Sequence, residues 1–162
     1  MVKTISILGS TGSIGVNALE VISNLKNSFK INYLSTNKNI DLLISQIKEH
    51  KPKSVAVVDE LAAKRIKSAL DEMGIELLIG KVGLLDLSQR HDVDLVLNGL
   101  VGASGMQPTI NAIRAGVNVA LANKESLVMA GNIINKELEN SEAKLFPVDS
   151  EHSAIWQCMV GE

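Results

Sequence analysis

Lys3-Thr4-Ile5-Ser6-Ile7-Leu8-Gly9-Ser10-Thr11-Gly12-Ser13-Ile14-Gly15 is a short β-branched run that passes directly into three glycines spaced GxxGxxG. A strand that turns on glycine and enters a helix is the first half of a parallel βαβ unit. After the turn, Ile14, Ala18, Val21, Ile22 and Leu25 recur at helical spacing, which predicts one buried stripe on the first helix. Working outward, the same alternation continues. Short apolar runs stand at Lys30–Ser35, Ser54–Val58, Ile75–Ile79, Asp94–Leu97, Val117–Leu121 and Lys144–Val148, separated by longer amphipathic segments. Asp41–His50 and Glu125–Asn140 read as helices, and so does the segment through Leu61, Ile66, Ala69, Leu70 and Met73, with Asp59 as its N-cap and Gly74 as its terminator. The fold class expected is α/β, a Rossmann-like doubly wound and mostly parallel sheet.

The bulk properties narrow the function by exclusion. The 162 residues suit one domain, or one domain plus a piece of another. A net charge of −2 leaves no electrostatic footprint for nucleic acid or an anionic membrane, and four aromatics (two Phe, one Tyr, one Trp) are too few for a base-stacking platform. The single cysteine, Cys158, excludes an intrachain disulfide framework and a CxxC site, and suits a reducing cytosol. Cys158 and Trp156 are expected to pack inward, and His152 to be a packed or capping histidine. No apolar run reaches the ~18 residues of a membrane span, and neither a signal nor a transit pattern is visible at the start, so a cytoplasmic protein is expected.

Glycine at the strand–helix turn lets the backbone bend sharply and approach a phosphate with no Cβ in the way. The helix behind it offers unpaired N–H groups and the positive end of its dipole. Ser10, Thr11 and Ser13 are candidate hydroxyl donors. The competing reading is a tight turn with packing glycines. NAD-specific Rossmann proteins carry an acid at the end of the second strand for the ribose hydroxyls. Here that strand ends Leu34-Ser35-Thr36-Asn37-Lys38-Asn39, with no acid before Asp41. Hydroxyls, amides and Lys38 suit a 2′-phosphate, so NADP is favoured over NAD.

Two further motifs carry chemistry. Ala122-Asn123-Lys124-Glu125-Ser126-Leu127 follows a buried run, and in an open parallel sheet such a position faces the ligand crevice. Asn123 as a helix cap with a solvated first turn is the even alternative. In Pro147-Val148-Asp149-Ser150-Glu151-His152, an extended backbone would point Asp149 and Glu151 the same way, and two hard oxygen ligands suit Mg²⁺ or Mn²⁺. A helix N-terminus whose acids complement the dipole accounts for the same pair equally well.

Together these motifs, with Val101-Gly102-Ala103 and Gly105, resemble the 1-deoxy-D-xylulose 5-phosphate reductoisomerase family. The resemblance implies an NADPH- and divalent-metal-dependent enzyme that rearranges a phosphorylated ketose and reduces the product to 2-C-methyl-D-erythritol 4-phosphate, in non-mevalonate isoprenoid synthesis. In that reading Thr11, Gly12, Ser13 and Ile14 hold the pyrophosphate, and Lys38 and Asn39 lie near the 2′-phosphate. Asn123 and Glu125 contact the cofactor further along, Lys124 binds and polarises substrate, and Ser150 hydrogen-bonds it. Asp149 and Glu151 ligate Mg²⁺ or Mn²⁺, with Glu151 also serving substrate binding and catalysis. Asn37 stands where the family often has glycine. The resemblance also implies a bacterial cytoplasmic enzyme, a homodimer when full-length, acting on a small phosphosugar.

Residues 1–148 are expected to form the NADPH-binding domain and 149–162 the start of a catalytic domain cut short. The third acidic ligand, a mobile loop and the substrate-phosphate groups of the family are expected beyond Glu162, and the 162 residues alone are not expected to turn over substrate. The rivals are a semialdehyde dehydrogenase, which needs a nucleophilic cysteine that Cys158 fits poorly, and a stand-alone nucleotide-binding regulatory module.

Overall fold

The opening run forms strand β1 (Lys3–Leu8) in the computed structural model, which describes residues 2–25, 27–122, 124–148 and 150–160, without the side chains of Glu151, His152, Ser153 and Trp156. The expectations placed on Asn123 and Asp149 therefore lie outside the described residues, as do those on the side chains of Glu151, His152 and Trp156. Each predicted strand is present within a residue or two of its expected bounds. They are β1, β2 (Phe29–Thr36), β3 (Ser54–Val57), β4 (Glu76–Ile79), β5 (Leu95–Asn98), β6 (Asn118–Leu121) and β7 (Leu145–Pro147). Every pair is parallel, in the order β4-β3-β2-β1-β5-β6-β7.

Helices cover both faces. On one side lie α1 (Ser13–Asn24), α2 (Ile40–His50) and α3 (Glu60–Met73). Their Leu19, Leu43, Ile47, Ile66 and Leu70 pack against the strand residues Ile5, Ile7, Leu34, Val55 and Val57. On the other lie α4 (Gly80–Ser88), α5 (Met106–Arg114) and α6 (Lys124–Glu139), whose Leu87, Ile113 and Ile134 meet Leu8, Ala56, Val96 and Val119. Alternate residues of β1 to β5 thus supply two separate cores, the period-2 rule applied to a sheet covered on both faces. Helix α3 starts and stops as its sequence predicts: Asp59 accepts a hydrogen bond from Ala62 N at 2.8 Å, and Gly74 closes the helix at φ +68.

Three expectations change. The buried face of α1 is Gly15, Ala18, Leu19 and Ile22, while Ile14, Val21 and Leu25 are exposed. The contact is built on a glycine, and a reading that follows the largest apolar residues lands a third of a turn away. Helix α6 is interrupted at Ala130 (φ −135), next to Gly131, where a single helix was expected. Cys158 is exposed on α7 (Ser150–Val160), together with Ile155 and Met159. No described helix is long and apolar enough to cross a membrane.

The N-terminal ends of the strands carry a polar cluster. Tyr33 donates to Asp92, whose other oxygen takes Lys53 Nζ at 2.6 Å, and Asn32 donates to the Asp92 carbonyl at 3.0 Å. Burial, then the hydrogen bond to Asp92, pushes the Tyr33 phenol up to about 12. Burial also works to raise Asp92, but Lys53 and Tyr33 outweigh it and hold this carboxyl below its ordinary value. Asp94 is held low by Thr4 N at 2.6 Å and Thr4 Oγ1 at 2.8 Å. A carboxyl with a lowered native pKa stabilises the fold above its unfolded value of about 4, and that contribution is lost as pH falls through the native value. The melting temperature is therefore expected to fall below about pH 4, with Asp94→Asn showing a shallower acid decline than the parent. Parallel declines in thermal melts would remove Asp94 from the explanation.

Candidate functional site

Strand order reverses between β1 and β5, so the connections leaving these neighbours diverge and open a crevice beyond their carboxyl ends. A cleft of about 800 Å³ lies there. Its floor is the glycine turn, with Gly9, Thr11 and Gly12. Asn37, Val58 and Lys81 border it on the β2–β3 side, and Gly99, Leu100 and Val101 on the β5 side.

The three glycines differ in purpose. Gly9 takes φ +79, and a Cβ there would stand 3.2 Å from Gly99 O. Gly15 is a packing glycine, since a Cβ would stand 2.4 Å from Gly9 O and from Ser10 Cα. Gly12 needs neither: its φ is −82 and a Cβ would sit an ordinary 3.4 Å from Gly9 O. What glycine gives at position 12 is bare backbone on the cleft floor. Behind it, α1 begins with no side-chain cap and no acid in its first turn. Helices α2 and α3 close their own N-termini with Asn39 and Asp59. The open donors and dipole of α1 therefore meet the cleft, an arrangement that favours an anion. Ser13 and Ile14 lie on this first turn, and Ile14 sits against Gly99, where an added Cβ would come within 3.3 Å of it.

The hydroxyls near the turn have internal partners. Ser10 is buried, donating to Gln46 Oε1 at 2.7 Å, while Gln46 Nε2 donates to Ser10 O at 2.8 Å. Ser35 Oγ accepts from Gly9 N at 2.9 Å, and Thr36 Oγ1 pairs with Thr11 Oγ1 at 2.6 Å. Ser10, Ser35 and Thr36 thus pin the turn to the end of β2, which corrects their reading as ligand donors. Gln46 carried no local signal; only the packing of α2 brings it to the turn. Asn37, Lys38 and Asn39 are exposed. Asn37 is not left-handed, so asparagine is unstrained there. The Asn39 Oδ1 is the α2 cap, accepting from Leu42 N at 3.3 Å. Lys38 does not line the cleft.

On the opposite wall, buried Asn98 holds the loop that follows β5. Its Nδ2 donates to Gly105 O and Thr109 Oγ1, both at 2.8 Å, and its Oδ1 accepts from Leu100 N at 3.1 Å. Lys124 and Glu125 are exposed on the first turn of α6, beyond the end of β6. Ser150 and Glu151 begin α7, so the Glu151 backbone is helical, while Asp149 and the Glu151 side chain lie outside the described residues. Among the described residues no group of three or more His, Cys, Asp or Glu could hold a metal.

A cleft at the switch point of a parallel sheet, floored by an uncapped helix and a bare glycine turn, is a dinucleotide-type site in architecture. Residues 5–131 match the family model of 1-deoxy-D-xylulose 5-phosphate reductoisomerase. The chain belongs to this family. It is 48% identical over 160 residues to the 1-deoxy-D-xylulose 5-phosphate reductoisomerase of Chloroherpeton thalassium, covering 99% of this chain and 41% of that protein. The reductoisomerase from Zymomonas mobilis in complex with NADPH superimposes with a TM-score of 0.92 at 34% identity, over 98% of this chain and 41% of that one. A reductoisomerase solved with NADPH, fosmidomycin and magnesium gives 0.90 at 34% identity, over 97% and 39%. This reductoisomerase-family chain spans about two fifths of the length of the curated relatives it matches.

Proposed function

We propose that this chain is the NADPH-binding part of a reductoisomerase that converts 1-deoxy-D-xylulose 5-phosphate to 2-C-methyl-D-erythritol 4-phosphate. The observation that carries the reading is the uncapped N-terminus of α1 behind Gly12 on the floor of the cleft. The cradle fits a dinucleotide pyrophosphate: backbone can approach closely at Gly12, and the first turn of α1 (Ser13 and Ile14) meets the anion with unpaired N–H groups. Thr11, fixed by Thr36, borders the same floor.

NADPH, when bound, supplies the hydride. The chain's own work is to seat it. Asn39 and Lys38 stand beyond the end of β2, on the adenosine side, and Lys124 and Glu125 beyond β6, on the nicotinamide and substrate side; Asn123, outside the described residues, is proposed as a further cofactor contact. Lys124 places a cation where a phosphosugar's oxygens need orientation. Asp149 and Glu151 are the carboxylates proposed for Mg²⁺ or Mn²⁺, and Ser150 a substrate hydrogen-bond donor. Residues 1–148 form the cofactor domain in this reading, the metal ligands open the next one, and the full-length enzyme is a cytoplasmic homodimer. With about two fifths of its relatives' length, this chain alone is not expected to turn over substrate.

Titration followed by nicotinamide fluorescence is expected to give an NADPH Kd at least about tenfold below that for NADH, the value of one charge-assisted contact to a phosphate. Gly12→Ala should weaken NADPH by about tenfold, because its Cβ enters the path of the pyrophosphate, yet melt with the parent. Equal affinity for the two nucleotides would sink the NADP preference. Unchanged binding by the Gly12 variant would move the pyrophosphate off the turn.

A further inference from the structure

We propose that Lys81 is a specificity-determining residue, meeting the phosphate on the adenosine ribose of the bound dinucleotide from the α4 side of the cleft. The inference rests on the cofactor reading above.

Lys81 is the one charged side chain among the described residues that line the cleft. It stands with Asn37 and Val58, the residues that follow β2 and β3, on the side of the glycine turn away from β5. A dinucleotide with its pyrophosphate on the α1 N-terminus lays its adenosine ribose beyond the end of β2. Asn37, at that position, carries no charge. Lys38, next to it, is exposed and does not line the cleft, whereas α4 brings a cation that does. This helix leaves edge strand β4, crosses to the face opposite α2 and α3, and packs Leu84 and Leu87 into that core. Its first turn thereby becomes part of the cleft wall.

Among the described residues, neither an ion pair nor the helix dipole accounts for the placement of Lys81. It sits in the first turn of α4, where the helix dipole disfavours a cation, and α4 has no side-chain cap and no acid in that turn. Among the described residues no ion pair satisfies it. Glu60, at the start of α3, has its Oε1 3.9 Å from where a Cβ on Gly80 would stand. An exposed, unpaired lysine against a dipole that repels it is consistent with a position kept for an anion. The open N-terminus of α4 adds to the same field.

The 162-residue chain and its Lys81→Gln and Lys38→Gln variants are titrated with NADPH, NADH, 2′,5′-ADP and 5′-AMP. Lys81→Gln is expected to weaken NADPH and 2′,5′-ADP by about tenfold, to leave NADH and 5′-AMP within about twofold, and to flatten the salt dependence of NADPH binding. Lys38→Gln should have the smaller effect. NADPH binding unchanged by Lys81→Gln overturns the assignment while the cofactor reading stands. Equal losses for NADPH and NADH also overturn it, since the lysine would then serve the common part of the nucleotide. A parent chain that binds none of the four ligands sinks the cofactor reading and this inference with it.

Discussion

Gly15→Ala is expected to cost at least about 3 kcal/mol, and to lower the melting temperature by about 10 °C in a domain of this size. The added Cβ would stand 2.4 Å from Gly9 O and Ser10 Cα and 2.7 Å from Ser10 C. All three are backbone atoms, so no side chain can rotate away. Moving the turn is no easier: Ser10 N is bonded to Ser35 O at 2.8 Å, and Gly12 N to Gly9 O at 3.0 Å. Relief requires α1 to lift from the sheet, which exposes Leu19. Gly12→Ala is the control, three residues away in the same turn, with room for its Cβ. Similar melting of the two variants in calorimetry would show that α1 does not lie as close to the turn as described.

Asn98→Leu should produce the second large effect, about 2–4 kcal/mol of stability together with a loss of ligand affinity. Leucine keeps the volume but removes two donors and an acceptor from a fully buried position. Thr109 Oγ1 loses its incoming bond, Gly105 O loses the one from Asn98 Nδ2, and Leu100 N loses the Asn98 oxygen. Those groups shape the loop that walls the cleft opposite Asn37. Nucleotide binding should therefore weaken by about tenfold even at a low temperature where parent and variant are both folded. A destabilised variant that binds NADPH like the parent would confine Asn98 to the core.

Strands were the most legible elements because each is a short β-branched run with turn residues on both sides. Helices α2 and α3 were legible from the sequence, α3 also through its cap Asp59 and terminator Gly74, whereas the α2 cap, Asn39, was not read as one. Helix α4 was not: Gly80-Lys81-Val82-Gly83-Leu84-Leu85 has two glycines and no clean polar face, because Gly83 is buried against β4, where a Cβ would come 2.7 Å from Leu78 C. Helix α5 was hidden by the glycine-rich approach to it and by Pro108, which a helix tolerates only in its first turn. For the site, the glycine turn read clearly because its chemistry is local. The use of Ser10, Ser35 and Thr36 did not, since their partners are distant in sequence: Ser10 bonds Gln46, 36 residues away, while Ser35 and Thr36 bond Gly9 and Thr11. Lys81 escaped notice for the same reason, being a surface lysine until α4 crosses the sheet.

The strand order has a consequence in time. β1 is the first strand of the chain and lies at the middle of the sheet, with β2 on one side and β5 on the other. Its bond to β2 closes a short loop, but Thr4 meets Asp94 across 90 residues. During synthesis, the β1–β4 half can assemble with its three helices while one edge of β1 is still bare. The second wall of the cleft arrives only with β5 and the Asn98 loop. Closing that long loop is the slow, entropically costly step in such a topology. The pocket is thus finished late, and its completion marks the joining of two half-sheets into one.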